Sequence, residues 1–203
     1  MSDTRYLTVA KPSEGLYKEK GSRFLAFAFP VRSREEVKEI LLELKKKYYD
    51  ATHHCYAYIL GADGAVFRMN DDGEPSSTAG KPIYGQLLSK NLKNVLIVVV
   101  RYFGGTKLGV SGLIKAYRNA ASECLDNALI IEKKVRSVFS LSFPYEKMNV
   151  VMNMLKQYNV EQRNHCFDLE CSVEIVVDND LLSEFEKSVS VMENVKCTFF
   201  CTE

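Results

Sequence analysis

His54, Asp71, Asp72 and Glu74 bring one imidazole and three carboxylates into a short span of a 203-residue chain. Those types suffice for general acid–base chemistry, or for holding a divalent cation through oxygen ligands. A structural use of the same residues stands beside the chemical one. Asp71-Asp-Gly-Glu74 is a good turn sequence whose carboxylates can cap their own backbone, and a histidine that opens a strand is commonly a core residue. Cys55 adjoins His54 but cannot act with it, because neighbouring side chains in a strand point to opposite faces.

A second set of residues is basic. Lys81, Arg101, Lys107, Lys115 and Arg118 lie in a stretch, Pro75 to Ser122, that contains no acidic residue, and Gly104, Gly105 and Gly109 fall among them. A glycine-rich loop leading into a helix offers free backbone N–H groups and the positive end of a helix dipole, which together suit phosphate. The loop fails as a nucleotide cradle: Gly104-x4-Gly109-Val110-Ser111 has valine where a P-loop needs lysine, and no G-x-G-x-x-G occurs. No cofactor is therefore expected. The alternatives are that the glycines only allow a tight turn, that the cations coat a solvated surface, and that Arg101 is tied to Asp71, Asp72 or Glu74.

These residues need a scaffold. Val95 to Val100 is an unbroken β-branched and aliphatic run, the pattern of a strand buried on both faces. The helix after it repeats Leu113, Tyr117, Ala121, Cys124 and Leu125 on one face and Ser111, Lys115, Arg118 and Ser122 on another. Upstream, Tyr6–Ala10 and Ser22–Val31 read as strands, and Ser33-Arg-Glu-Glu36 is a capping box opening a helix through Tyr48. Cys55–Leu60 and Ala65–Met69 form a hairpin around Gly61–Gly64; a loop to Gly80 follows, then a helix with Pro82 in its first turn.

After Val135 the pattern restarts as βαββαβ, with a turn expected at Asn164–Cys166 and a half-buried strand from Phe167 to Val177. That order predicts a ferredoxin-like second domain and a boundary near residues 132–137, giving domains 1–134 and 135–203. Charge divides at the same place. Met1–Val135 has 21 Lys and Arg against 15 Asp and Glu, a net of +6, whereas Arg136–Glu203 has 6 against 11, a net of −5. A basic first part points to an anionic partner, nucleic acid being the usual one.

No apolar run approaches the ~20 residues that cross a bilayer, and the N-terminus has no signal-peptide pattern, so a cytoplasmic protein without a membrane partner is expected. The six cysteines lie in apolar or strand-like segments and read mainly as small core residues. Cys166-x4-Cys171 and Cys197-x3-Cys201 lack the tight spacing of a zinc knuckle, so no metal site is expected.

His54-Cys55, Asp71-Asp-Gly-Glu-Pro75, Thr78-Ala-Gly-Lys-Pro82, Arg101-Tyr-Phe-Gly-Gly105 and Leu108-Gly109 occur in the order of the YigZ/IMPACT family signature, and the chain resembles that family from Lys18 to about Ile130. Ser77 departs from it, standing where a glycine is expected. The resemblance implies an α+β protein. Its first domain would be a ribosomal-protein-like and elongation-factor-G-like α/β sandwich, with helices on one face of a sheet. The ferredoxin-like tail would resemble the last domain of elongation factor G. It also implies a role in translation. The eukaryotic members restrain translational stress signalling by binding a large activator protein, and the bacterial members are associated by fold analogy with nucleic acid or the ribosome.

Three functions follow. The first is a non-enzymatic RNA- or ribosome-binding regulator using Lys81, Arg101, Gly104, Gly105, Lys107, Gly109, Lys115 and Arg118. The second is a hydrolase or metal-dependent enzyme using His54, Asp71, Asp72 and Glu74. The third is a protein–protein adaptor in translational control.

Overall fold

The computed structural model describes residues 4–202. Its first elements are strands β1 (Arg5–Val9), β2 (Ser13–Glu19) and β3 (Ser22–Pro30), followed by helix α1 (Arg34–Lys47). Strands β4 (His53–Leu60) and β5 (Val66–Asn70), helix α2 (Gly80–Ser89), strand β6 (Val95–Tyr102), helix α3 (Gly109–Asp126) and strand β7 (Ile130–Lys134) come next. The remaining elements are β8 (Arg136–Pro144), α4 (Met148–Gln157), β9 (Glu161–Cys166), β10 (Glu170–Asp178), α5 (Leu182–Ser190) and β11 (Lys196–Thr202). The fold is α+β, as expected. Its contacts separate into two compact units, Tyr6–Lys133 and one that takes in Lys134–Glu203.

In the first unit a five-stranded antiparallel sheet runs β2-β3-β6-β4-β5, and β1 pairs with β7 in a small sheet of its own. Strand β6 sits at the centre because its sequence tolerates no wet face: Val95 through Val100 are all fully buried. Alternate side chains enter different cores. Val95, Ile97 and Val99 pack with Ile83 and Leu87 of α2 and with Leu113, Tyr117 and Ala121 of α3. Leu96, Val98 and Val100 pack with Val37 and Leu44 of α1. The expected one-sided arrangement therefore describes α2 and α3, while α1 covers the opposite face, as an all-apolar central strand requires.

Helix α1 begins where the capping box places it. Ser33 Oγ accepts the Glu36 N–H at 3.1 Å, and the Glu36 carboxylate reaches one residue further back than expected, to the Arg32 N–H at 2.8 Å. Lys45, Lys46 and Lys47 occupy its last turn, where the dipole favours cations.

The second unit has sheet order β11-β8-β10-β9 with all pairs antiparallel, the ferredoxin-like arrangement. Leu141, Phe143, Val173 and Ile175 from the sheet meet Val151 and Leu155 of α4 and Phe185 and Val189 of α5. The turn expected at Asn164–Cys166 is instead part of β9, which runs on to Cys166. Asn164 does adopt a left-handed conformation (φ 50°), but the sheet absorbs it as a register shift opposite Ser172–Glu174. The cysteines are all free. Cys55, Cys124 and Cys171 are buried as expected, whereas Cys166 and Cys201 are exposed.

Candidate functional site

The motifs of the first unit meet at one end of the central sheet, where β4 and β6 pair His53 with Arg101 and His54 with Val100. Glu74 is the hub. Its Oε1 accepts from Arg101 Nη1 at 2.5 Å and from the Tyr117 hydroxyl at 2.7 Å, and His53 Nε2 lies 3.9 Å away. Both members of the ion pair are buried, with side chains 7% (Arg101) and 3% (Glu74) exposed. The guanidinium carbon lies 5.4 Å from the Phe24 ring centroid and 5.7 Å from that of Phe103. Desolvated on both sides, this pair is held by charge-assisted hydrogen bonds and aromatic contact.

The carboxylates beside it are committed to backbone. Asp71 Oδ1 accepts the N–H groups of Ala79 and Gly80 at 2.9 and 2.8 Å, and its Oδ2 accepts that of Ser77 at 2.9 Å. Asp71 thus supplies the cap that Ala79, at the N-cap position of α2, cannot. Asp72 Oδ2 accepts the His54 N–H at 2.7 Å, and Oδ1 faces Lys45 Nζ at 3.4 Å. His53 Nδ1 lies 2.8 Å from the Asp72 carbonyl oxygen, which fixes its ring against the loop.

Electrostatics follow from burial. Cys55 Sγ lies 3.0 Å from the Asp71 carbonyl oxygen and 3.4 Å from the Tyr117 hydroxyl. Burial pushes both the Cys55 thiol and the Tyr117 phenol far up, so each stays protonated and acts as a donor. Burial also lowers the His54 pKa against the opposing pull of Asp72, and His54 Nε2 has no hydrogen-bond partner among the described residues; nor has Arg101 Nε. His54 and Cys55 face opposite sides of β4: Cys55 enters the core under α3, and no thiol–imidazole pair forms. Among the described residues, no group of three or more His, Cys, Asp or Glu is arranged to hold a metal ion.

The basic set divides. Arg101, read from sequence either as a phosphate contact or as tied to Asp71, Asp72 or Glu74, is the buried partner of Glu74, because the aromatic rings and the carboxylate enclose its guanidinium. Lys81, Lys107, Lys115 and Arg118 are exposed, and none of them has an ion pair among the described residues. Lys107 lies in the open loop Phe103–Lys107; Lys115 and Arg118 lie on the solvent face of α3; Lys81 opens α2, which packs beside α3. Gly105 and Gly109 have φ of 86° and 72° with open space around them. Gly104 serves packing instead. A Cβ there would collide with the Gly21 carbonyl carbon, so only glycine lets the loop cross the β2–β3 turn. The Gly104 N–H donates to Ser22 Oγ at 3.1 Å across that crossing.

Tyr117 and His53 belong to the buried network although the sequence does not assign them to it. Tyr117 reads there only as part of an apolar helical stripe, and His53 is not singled out at all. The signal that singles out Tyr117 is a hydroxyl in the middle of an otherwise aliphatic face, since a buried phenol needs an acceptor.

Comparison with known proteins fits this geometry. Residues 20–125 match the Impact N-terminal domain. The chain is 32% identical over 191 residues to the IMPACT family member YvyE of Bacillus subtilis, covering 94% of this chain and 88% of that one. It is 32% identical over 154 residues to the IMPACT family member YigZ of Escherichia coli, covering 75% and 76% of the two chains. Among solved structures, a hypothetical protein superposes with a TM-score of 0.78 at 27% identity over 98% of both chains. With family motifs assembled around Glu74 and relatives matched along nearly its whole length, the chain belongs to the IMPACT family.

Proposed function

We propose that this protein is a non-enzymatic regulator of translation that binds RNA, free or within the ribosome, through the basic side of its first unit. One observation carries the reading: Lys81, Lys107, Lys115 and Arg118 are all exposed and carry no carboxylate partner among the described residues. Membership of the IMPACT family supports a role in translation, and the lack of acidic residues from Pro75 to Ser122 supports an anionic partner. Contacts of this kind are made to phosphate, so they give affinity without sequence preference. The open loop before α3 adds backbone N–H groups at the positive end of an 18-residue helix.

Of the groups an enzyme would use, the three carboxylates are already engaged, and only the His54 imidazole keeps a nitrogen unpartnered among the described residues. Asp71 caps α2, Glu74 is bound to Arg101 and Tyr117, and Cys55 is a buried protonated thiol. The deciding experiment is fluorescence anisotropy with a short single-stranded RNA across a salt series. The expected result is weak, salt-sensitive binding. Lys107→Glu/Lys115→Glu should weaken it about tenfold or more at low salt and flatten the salt slope by roughly one unit for each phosphate no longer neutralised. Binding indifferent to both salt and the double substitution would remove this reading.

A further inference from the structure

On the face of the first sheet covered by α1, away from the lysines of α3, lies a groove of about 360 Å³. Tyr56 and Tyr58 of β4, Arg68 of β5 and Arg34, Lys38 and Leu41 of α1 line it. The register explains the convergence. Tyr58 pairs directly with Arg68, so both project from the same face, and Tyr56 lies two residues along on that face. Arg34, Lys38 and Leu41 recur at helical spacing along the facing side of α1. The two tyrosine rings are parallel to within 2°, with centroids 6.4 Å apart. Phe67, the neighbour of Arg68, borders the groove and stacks its ring on Tyr84.

Two features of this groove have no use within the fold. Tyr58 is only 5% exposed, yet its hydroxyl has no hydrogen-bond partner among the described residues, and it is not among the polar atoms sealed from solvent. The hydroxyl therefore opens into the groove that Tyr58 lines. Arg34, Lys38 and Arg68 are exposed, and none has an ion pair among the described residues. Helix α1 also carries Glu35, Glu36, Glu39 and Glu43, but none of them lines the groove. Flat rings, an unused hydroxyl and three unpaired cations suit a ligand that is planar, polar at its edge and negatively charged beside the plane.

We infer that the groove seats one nucleotide of a single-stranded RNA, its base against Tyr56, its edge at the Tyr58 hydroxyl and its flanking phosphates at Arg34, Lys38 and Arg68. An acidic peptide would satisfy the cations but gain nothing from parallel rings, whereas every base has a π-face to stack. The inference rests on the reading that the chain binds RNA and deepens it. The lysines beside α3 hold backbone without preference, and the α1 groove grips a base. The volume lies within the range of small-ligand sites and accommodates a nucleotide.

The test uses the full chain with a fluorescent oligouridylate, followed by ultraviolet crosslinking and mass-spectrometric mapping of the adduct. Arg68→Glu changes an exposed side chain on an edge strand, and Tyr56→Leu removes the flat ring while keeping apolar bulk. Each is expected to weaken binding about tenfold, the range for removing one stacked base or its phosphate contact, with the crosslink of the unsubstituted chain at Tyr56. Full affinity in both variants and a crosslink elsewhere, with Lys107→Glu/Lys115→Glu still weakening binding, would overturn the groove and leave the RNA reading standing. No oligouridylate binding by the unsubstituted chain would overturn both. Capture of a poly-glutamate peptide that depends on Arg68, with no RNA crosslink at Tyr56, would overturn it in favour of an acidic protein partner.

Discussion

Glu74 shows how a residue that looks catalytic in sequence becomes structural in space. Its carboxylate joins β6, α3 and the loop after β5, through Arg101, Tyr117 and its own backbone. Removing one member of a buried ion pair leaves the other charged and unsolvated, which costs about 3–5 kcal/mol. Glu74→Gln should therefore lower the unfolding free energy by about 3 kcal/mol in a urea titration, whereas Tyr117→Phe, which deletes one hydrogen bond to a charged group, should cost about 1.5–3 kcal/mol.

His54 adds a pH dependence whose sign is fixed by burial. Its folded pKa lies below the unfolded value, so below that unfolded value the unfolded chain binds the extra proton. The stability His54 contributes is complete above the ordinary histidine range and is lost as pH falls through it towards the lowered folded pKa. Urea midpoints measured downward from pH 7.5 should fall more steeply for the unsubstituted chain than for His54→Asn. A residue list alone could not separate these roles. Asp71, Asp72 and Glu74 share a type and a turn, and only the closing of the loop against α2 and α3 decides which one caps, which one anchors a strand and which one is buried with arginine.

At the scale of elements, periodicity carries most of the information where burial is uniform. The unbroken run of β6, the amphipathic α3 and the serine cap of α1 all declare themselves, because each needs only local chemistry and one apolar face or two. Strand β2 does not. After Ser13, β2 alternates exposed and half-buried residues at the sheet edge, and its place is set by α3: a Cβ on Gly15 would stand 2.5 Å from the Cys124 backbone nitrogen, a contact no local pattern encodes. The loop before α3 follows the same logic. Its path depends on Gly104 crossing Gly21, residues more than eighty positions apart in the chain.

Gly104→Ala should therefore move either the β2–β3 turn or the loop, costing about 1–3 kcal/mol or more in a urea titration. Ser77 gives the opposite case. It holds φ 63°, where a side chain costs about 1–2 kcal/mol, and its N–H is already used by Asp71. Ser77→Gly removes that strain but gives back part of the gain as unfolded-chain entropy, so a net stabilisation of up to about 1 kcal/mol is expected from the same titration.

At the scale of the molecule, charge is segregated along the chain more sharply than hydrophobicity. Each unit has cores of its own, two on the faces of β6 in the first and one on β8 and β10 in the second, so neither needs the other's apolar surface to be buried. The net of +6 before Arg136 and −5 from Arg136 onward gives a chain of nearly zero total charge whose parts act oppositely on an anion. On the proposed RNA-binding reading, the acidic second unit would repel the ligand over about a Debye length, ~10 Å at 0.1 M salt and ~3 Å at 1 M. A fragment of residues 1–134 keeps β7 to pair with β1 and retains both cores of the first unit, so we expect it to unfold cooperatively. Compared with the full chain at low salt, it should bind single-stranded RNA more tightly and faster, because the acidic half no longer opposes the approach. The two affinities should converge as salt rises, since short-range contacts are common to both while the long-range repulsion is screened. Parallel lines of log affinity against log salt, with the fragment no tighter at any concentration, would mean that the acidic unit is electrostatically silent at the binding surface. A fragment that loses binding altogether would place part of that surface in the second unit.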